Sequence, residues 1–375
     1  MHFESRFSKN LIDRIFDRTL GVKQVFSNPA PGRSTVANNA LPDEQIIASA
    51  QARIRPELPE TPLLRIPDLD IAVGQPLWLK CENFQRTGSF KARGALNWIL
   101  TAKDEELGDG LVTVSAGNHA LALAWAAAKR QASLTVVMPE GSSPLKIRRT
   151  RAFGAEVIIH GSIHEAVAHC HHLQERHGFT LVHPYDDPRI MAGQGTIGLE
   201  LLRQQPDLKR ILCPIGGGGL ISGIGLAIKA RRPDIELVGV EPTGAATMSN
   251  AWQKEDAGAS LEAVNTWAVS LAPAQVGRYT YEASRQVVDR IVTVSEASIR
   301  AATRHVLTQA RLYAEPGGCA GLAALLDGQV AIEPDTATAM IVCGGNLDLE
   351  QVHLCQDDDE NQAPFSVSKS TTPRT

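Results

Sequence analysis

Residues 87–95 read Thr87-Gly88-Ser89-Phe90-Lys91-Ala92-Arg93-Gly94-Ala95. A single lysine stands in a turn of small residues, with a phenylalanine beside it. Lysines that serve solubility sit among polar neighbours on helix faces, where the ammonium stays hydrated. Glycine, serine, phenylalanine and alanine offer no such setting. Desolvation there lowers the amine's pKa and leaves it a nucleophile toward a carbonyl carbon. The segment Lys80-Cys81-Glu82-Asn83-Phe84-Gln85-Arg86 leads straight into this turn. The chemistry of a reactive lysine calls for further groups around it, and the chain has motifs of the right kind.

Gly216-Gly217-Gly218-Gly219-Leu220 follows an apolar strand, Arg210 to Ile215, and precedes a helix beginning near Ile221. Consecutive glycines let backbone N–H groups turn inward around an anion, and the helix N-terminus adds a positive dipole. The pattern reads as a phosphate cradle; taken alone, it could also be a flexible turn. A dinucleotide fingerprint fails in register, because G-x-G-x-x-G from Gly217 ends on Ser222 and from Gly216 on Ile221. The Walker lysine is absent too. Ser115-Ala116-Gly117-Asn118-His119 joins a strand to a helix N-terminus, a place where N–H groups bind a carboxylate. Asn118 by itself would serve equally as an N-cap. Ile341-Val342-Cys343-Gly344-Gly345-Asn346 follows a last buried strand.

Around these motifs, strands and helices alternate. Strands are expected at Leu111 to Ser115, Ser133 to Met138, Glu156 to His160, Arg210 to Ile215, Ile235 to Val240 and Ala339 to Val342. Helices are expected at Asn118 to Arg130 and Pro144 to Phe153. Such alternation implies parallel sheets with right-handed crossovers. Ligands of open α/β sheets lie beyond the carboxyl ends of the strands, where the glycine, Ser115 and Cys343 motifs fall. The lysine segment has no such placement from sequence.

In order and spacing, these motifs resemble the fold type II (tryptophan-synthase-like) pyridoxal-phosphate (PLP) enzymes. Within that family they look like the threonine/serine dehydratase and serine racemase branch. The resemblance spans roughly residues 46 to 350. It implies an α/β fold of two domains, each a mostly parallel twisted sheet flanked by helices. It also implies PLP joined to Lys91 as a Schiff base, with Phe90 against the ring. Gly216, Gly217, Gly218, Gly219 and Leu220 would hold the phosphate, Asn118 the phenolic oxygen and Cys343 the pyridine nitrogen. Ser115, Ala116, Gly117, Asn118 and His119 would take the substrate's α-carboxylate. Lys91, once displaced by an amino acid, would be the base for its α-proton.

The implied activity is α,β-elimination of water from L-threonine or L-serine to a 2-oxo acid and ammonia, a lyase reaction. Two positions favour it. Serine racemases carry a second serine where this chain has Ala116, and alanine has no proton to deliver to the opposite face. A thiol at Cys343 leaves the ring nitrogen largely unprotonated, which favours elimination over transamination or racemisation. Dehydration of a bulkier 3-hydroxy amino acid, hydroxyaspartate or phenylserine, is the same-family alternative. β-Replacement of the cysteine-synthase kind is another, disfavoured by four glycines where that branch more often has threonines. A non-catalytic PLP-fold binding protein is disfavoured by the intact Lys91. In several relatives Glu241, an alanine carbonyl matching Ala245, and an aspartate matching Thr247 bind a divalent cation. Losing a carboxylate weakens a hard divalent site, so a monovalent cation at Glu241, Ala245 and Thr247 fits better, and a plain turn with no ion fits as well. Glu315 matches a glutamate near the family's active site, its role open.

The 375 residues suffice for two sizeable cores. The expected division is a large domain of residues 46–110 and 188–350 and a small one of 111–187. An extension of residues 1–45 reads as a short amphipathic helix and linker, and residues 351–375 as a disordered tail. A net charge of −4 gives no basic field for nucleic acid. No apolar run is long enough for a membrane span. Six scattered cysteines without a C-x-x-C pair argue against a disulfide framework and point to a reducing, cytoplasmic setting. An organellar transit peptide is the alternative, with Glu4, Asp13 and Asp17 against it. His160, His164, His169, His171, His172 and His177 are dense but lack zinc spacing. A homodimer is the default assembly.

Overall fold

The structure, a computed structural model, describes residues 40–352. The helix expected in the first forty residues and the acidic tail around Asp357 lie outside them. Two sheets organise the described chain. The first runs in the order β1 (Leu63–Arg65), β2 (Leu77–Cys81), β10 (Thr338–Val342), β7 (Arg210–Pro214), β8 (Glu236–Pro242), β9 (Arg290–Val294). The second has the order β5 (Glu156–Ile159), β4 (Leu134–Met138), β3 (Leu111–Val114), β6 (Thr180–Leu181). Every pairing is parallel except the edge hairpin of β1 with β2. This is the mixed, mostly parallel α/β architecture expected from the sequence. The inner strands are buried on both faces, which is why they read as unbroken apolar runs rather than alternating patterns.

Helices cover both faces of the six-stranded sheet with separate apolar cores, one built on Leu79, Val238 and Met340 and the other on Ile211, Cys213 and Ile341. A third core belongs to the four-stranded sheet. It unites Leu111, Leu134 and Val136 with Ala120 and Leu123 of the helix Asn118–Lys129. The same core takes in Ala95, Leu96 and Trp98 of the helix Lys91–Thr101. The helix that begins at Lys91 thus shares a core with the smaller sheet.

Close helix crossings fix where the chemistry falls. A Cβ on Gly193 would come within 2.5 Å of the Gly94 Cα, so the helices Lys91–Thr101 and Pro188–Gln204 touch backbone to backbone. A Cβ on Gly195 would lie 2.9 Å from the Gly223 carbonyl, which brings in the helix Gly219–Lys229 the same way. Gly94 and Gly223 each lie about one turn into their helices. The crossings thus hold Lys91 and the glycine loop on neighbouring helix starts.

Candidate active site

Lys91 opens its helix two 3₁₀ turns beyond β2, not at a strand end. Its turn is instead pinned to the loop after β10. Phe90 N–H donates to the Cys343 carbonyl at 3.0 Å, and Gly345 N–H donates to the Gly88 carbonyl at 2.9 Å. Thr87 has φ 61°, a left-handed backbone that gives the turn its sharpness. The Lys91 amine donates to the Pro184 carbonyl at 2.7 Å and stands 5.1 Å from the centre of the Phe90 ring. Lys91 is half-buried. That burial brings its pKa from 10.5 down to about 8, although the acidic groups of Cys343 and Glu315 pull the other way.

The residue after Pro184 ties the amine to the glycine loop. The Tyr185 ring covers Gly217, where a Cβ would collide with it, and Tyr185 Oη donates to the Gln275 carbonyl at 2.9 Å. Gly218 has φ 93°, a conformation glycine alone adopts cheaply. Gly217, Gly218, Gly219 and Leu220 are buried and Gly216 half-buried. The N–H groups of Gly216 to Leu220 find no acceptor among the described residues. Buried, convergent, unpaired donors at a helix start suit an anion.

The Ser115 motif forms a second set of this kind. It follows β3 and opens the helix Asn118–Lys129. Gly117 N–H donates to Ser115 Oγ at 3.2 Å, while Ala116, Asn118 and His119 N–H have no acceptor among the described residues. His119 is held neutral by burial and by the nearby Lys91, with Nε2 3.3 Å from the Val182 carbonyl and a buried Nδ1 without a partner. His183 accepts from Tyr185 N–H and Asp186 N–H through Nδ1, at 3.3 and 2.8 Å. Burial and then Lys91 depress its pKa to about 3. Two neutral imidazoles therefore flank the amine.

Asn118 donates through Nδ2 to both oxygens of Glu315, at 2.8 and 3.0 Å. Glu315 N–H in turn donates to the Gly344 carbonyl at 2.9 Å. The Cys343 thiol is pushed well up, by burial first and by Glu315 second, so it stays a neutral S–H. Lys91, Phe90, Asn118 and Cys343 are thereby gathered together from three distant stretches of chain. Glu315, whose role the sequence leaves open, joins them.

Sequence reasoning missed several groups. Pro184, Tyr185 and His183 are outside every motif. Their one sequence signal is the turn-rich run His183-Pro184-Tyr185-Asp186-Asp187-Pro188. Beneath the lysine turn lies a buried ion cluster. Arg93 pairs with Glu82 at 2.8 Å and Glu200 at 2.6 Å, and Lys80 pairs with Glu200 at 2.5 Å. Thr61 Oγ1 donates to Glu82 at 2.5 Å. Burial opposes the charges of Glu82 and Arg93. Their mutual attraction outweighs it, holding Glu82 below its ordinary range and Arg93 above.

Glu241 is buried, its carboxylate capping the helix Thr247–Lys254. It accepts from Met248 N–H at 2.7 Å and from Ser249 N–H and Oγ at 3.0 and 2.7 Å. Thr247 Oγ1 donates to the Pro273 carbonyl at 2.7 Å. His160 and His169 stack at 4.3 Å. Among the described residues no group of three or more His, Cys, Asp or Glu could hold a metal ion. None of the described helices is long and apolar enough to cross a membrane.

Fold and site define an α/β enzyme that sets a buried lysine amine beside an anion cradle. Such an arrangement suits a phosphorylated carbonyl cofactor. The chain belongs to the pyridoxal-phosphate dependent enzyme family, whose profile matches residues 54–344. It is 40% identical over 310 residues to an L-threonine ammonia-lyase of Geobacter sulfurreducens, covering 82% of this chain and 77% of that one. The structure of maize serine racemase superposes with a TM-score of 0.78 at 36% identity, covering 83% of this chain and 96% of that one. A threonine deaminase from T.th. superposes with a TM-score of 0.77 at 39% identity, covering 82% and 99%. The residues fit PLP by the unpaired donors of the glycine loop and by a lysine amine without an ion-pair partner among the described residues.

Proposed function

We propose that this protein is a PLP-dependent dehydratase that eliminates water from L-threonine or L-serine, releasing a 2-oxo acid and ammonia. The observation that carries the reading is the Lys91 amine, buried and shifted toward its neutral form near physiological pH. The names of the threonine ammonia-lyase and threonine deaminase relatives support the substrate class.

PLP, when bound, supplies an electron sink conjugated to the substrate's α-carbon. The N–H groups of Gly216 to Leu220 would hold its phosphate, Phe90 would lie against its ring, and Asn118, whose NH₂ now rests on Glu315, would serve its phenolic oxygen. Lys91 would be the residue that attaches it. The N–H groups of the Ser115 to His119 loop bind the α-carboxylate, which orients the α-C–H bond. Nζ of Lys91 takes that proton, a step open to a neutral amine and closed to an ammonium. The Cβ–O bond breaks as a carbon–carbon double bond forms, and the proton taken by Nζ balances the departing hydroxide so that the net loss is one water. The resulting enamine hydrolyses to the 2-oxo acid and ammonium. Cys343, kept as S–H, puts no negative charge at the ring nitrogen. Ala116 has no proton to return to the opposite face, which favours elimination over racemisation.

The division of labour between sheets is also part of the proposal. Residues 111–187 form a small unit carrying the carboxylate loop, joined by the helix Lys91–Thr101 that shares its core. Residues 46–110 and 188–350 form the larger one. A monovalent cation at Glu241, Ala245 and Thr247, a homodimer, and a cytoplasmic setting complete the reading. The last is supported by five buried cysteines that form no disulfide among the described residues.

The test is release of 2-oxobutyrate from L-threonine and pyruvate from L-serine by PLP-loaded protein, with the cofactor's visible absorption followed in parallel. Release from either substrate supports the reading. A visible band without oxo acid from either would overturn it in favour of hydroxyaspartate, phenylserine or β-replacement substrates.

A further inference from the structure

Arg149 stands on the helix Pro144–Ala152, which belongs to the smaller sheet, and Asn346 lies in the loop after β10 of the larger one. Arg149 Nη1 donates to Asn346 Oδ1 at 2.9 Å. Asn346 Nδ2 donates to the Thr87 carbonyl at 2.7 Å and to Asn118 Oδ1 at 2.8 Å. Asn118 Nδ2 then donates to the Glu315 carboxylate. A chain of hydrogen bonds thus runs from a cation to an anion through two amides, and every bond points the same way.

Direction follows from the end groups. A guanidinium only donates, so it demands the Asn346 oxygen and turns that amide's NH₂ toward Thr87 and Asn118. That NH₂ demands the Asn118 oxygen and turns the Asn118 NH₂ toward Glu315. Gly88 packs against the Asn346 amide, since a Cβ there would lie 2.5 Å from Asn346 Oδ1. No carboxylate lies within ion-pair distance of half-buried Arg149 among the described residues. Its charge is therefore directed at a neutral amide, in a setting where chained hydrogen bonds polarise one another.

We propose that Arg149 is a positioning residue: acting through Asn346 across the two sheets, it fixes the Asn118 amide with its oxygen on Asn346 and its NH₂ on the Glu315 side, the orientation from which that NH₂ would serve the cofactor's phenolic oxygen. This rests on the role given to Asn118 above. The relay explains why a charged side chain reaches from the smaller sheet's helix to the loop behind Cys343.

The experiment is a double-mutant cycle of Arg149→Met and Asn346→Ala, read by fluorescence titration of cofactor-free protein with PLP and by the absorption maximum of the loaded protein, with kcat and KM alongside. In the parent background Arg149→Met should weaken PLP binding and lower kcat by roughly three- to tenfold, with a displaced absorption maximum and little change in KM. In the Asn346→Ala background the same substitution should change each readout by less than about twofold. Arg149→Lys, which keeps the charge and a donor, should lose less than Arg149→Met and lose nothing in the Asn346→Ala background. Losses of equal size in both backgrounds, or none in the parent, would overturn the relay. The PLP titration needs no substrate, so it judges the relay even where the choice of threonine or serine is wrong.

Discussion

The Nζ of Lys91 stands 2.7 Å from the carbonyl oxygen of Pro184, 93 positions further along the chain. Pro184 precedes Tyr185, whose ring covers Gly217. One dipeptide therefore holds the amine on one side and the glycine loop on the other. The lysine is an acceptor-bound, half-buried amine rather than half of an ion pair among the described residues, and its chemistry follows from that.

Removal of the amine is the sharpest test. Lys91→Ala should lower turnover by about 10³-fold or more. It should also abolish the mass increment that borohydride reduction of PLP-loaded protein fixes on the 87–95 segment. Retained activity, or an increment on another lysine, would place the chemistry elsewhere.

The lysine also sets a pH dependence in the cofactor-free protein. Its folded pKa of about 8 lies below the ordinary 10.5. Between those values the unfolded chain binds more protons than the native one, so stability rises with pH there. Below about pH 8 the cost of burying the charge is fully present. Lys91→Met removes that cost and should stabilise the cofactor-free protein at pH 7 by about 1–3 kcal/mol, discounted because the residue is only half-buried. The gain should shrink as pH rises toward 10.5. Denaturant titrations at several pH values would show it; a gain that grows with pH contradicts the account.

At Gly217 an added methyl group meets the Tyr185 ring. Gly217→Ala should cost about 1–3 kcal/mol through overpacking. It should also weaken PLP binding by about tenfold or more, because the cradle's N–H groups move with the loop. Thermal unfolding and PLP titration measure the two effects separately, and unchanged PLP affinity would remove the loop from the phosphate site.

Arg93 supports the turn from below. Arg93→Met leaves Glu82 and Glu200 buried with Lys80 as their one remaining cation in the cluster, a loss expected to cost about 3–5 kcal/mol. Because the cluster is shielded from solvent, the loss should be nearly independent of salt between about 0.05 and about 0.5 M. A loss below about 1 kcal/mol by urea unfolding would mean the site is open to water.

On the proposed function, Ala116 separates elimination from racemisation. Ala116→Ser puts a hydroxyl on the carboxylate loop and should make D-serine detectable by chiral chromatography beside continued pyruvate release. Complete absence of D-serine from an active variant would show that more than this proton donor separates the two reactions.

Much of the frame was legible in the sequence because it is local. The helix Asn118–Lys129 and the strand Leu134–Met138 follow from an alanine-rich run and an apolar run bounded by turn residues. The short β1, β6 and the edge pairing of β1 with β2 were not legible, since strands of two or three residues leave no periodic signal. Lys91 was recognisable from its neighbours, yet its place was not, because a 3₁₀-kinked turn has no strand end to announce it.

The sequence by itself determined the class of chemistry. Glycines at a strand-to-helix junction, a lysine among small residues and an asparagine opening a helix each act through their own backbone, so order along the chain is enough to read them. The tertiary structure alone decided which of them meet, and through what. Lys91 reaches Pro184, Asn118 reaches Glu315 across 197 positions and Asn346 across 228, and Arg93 meets Glu200 across 107. Pairings at such separations leave no mark in any window of sequence. They are set by the packing of two sheets and by helices close enough at Gly94 and Gly193 for backbones to touch, where each buried polar group must find a partner or go unpaired.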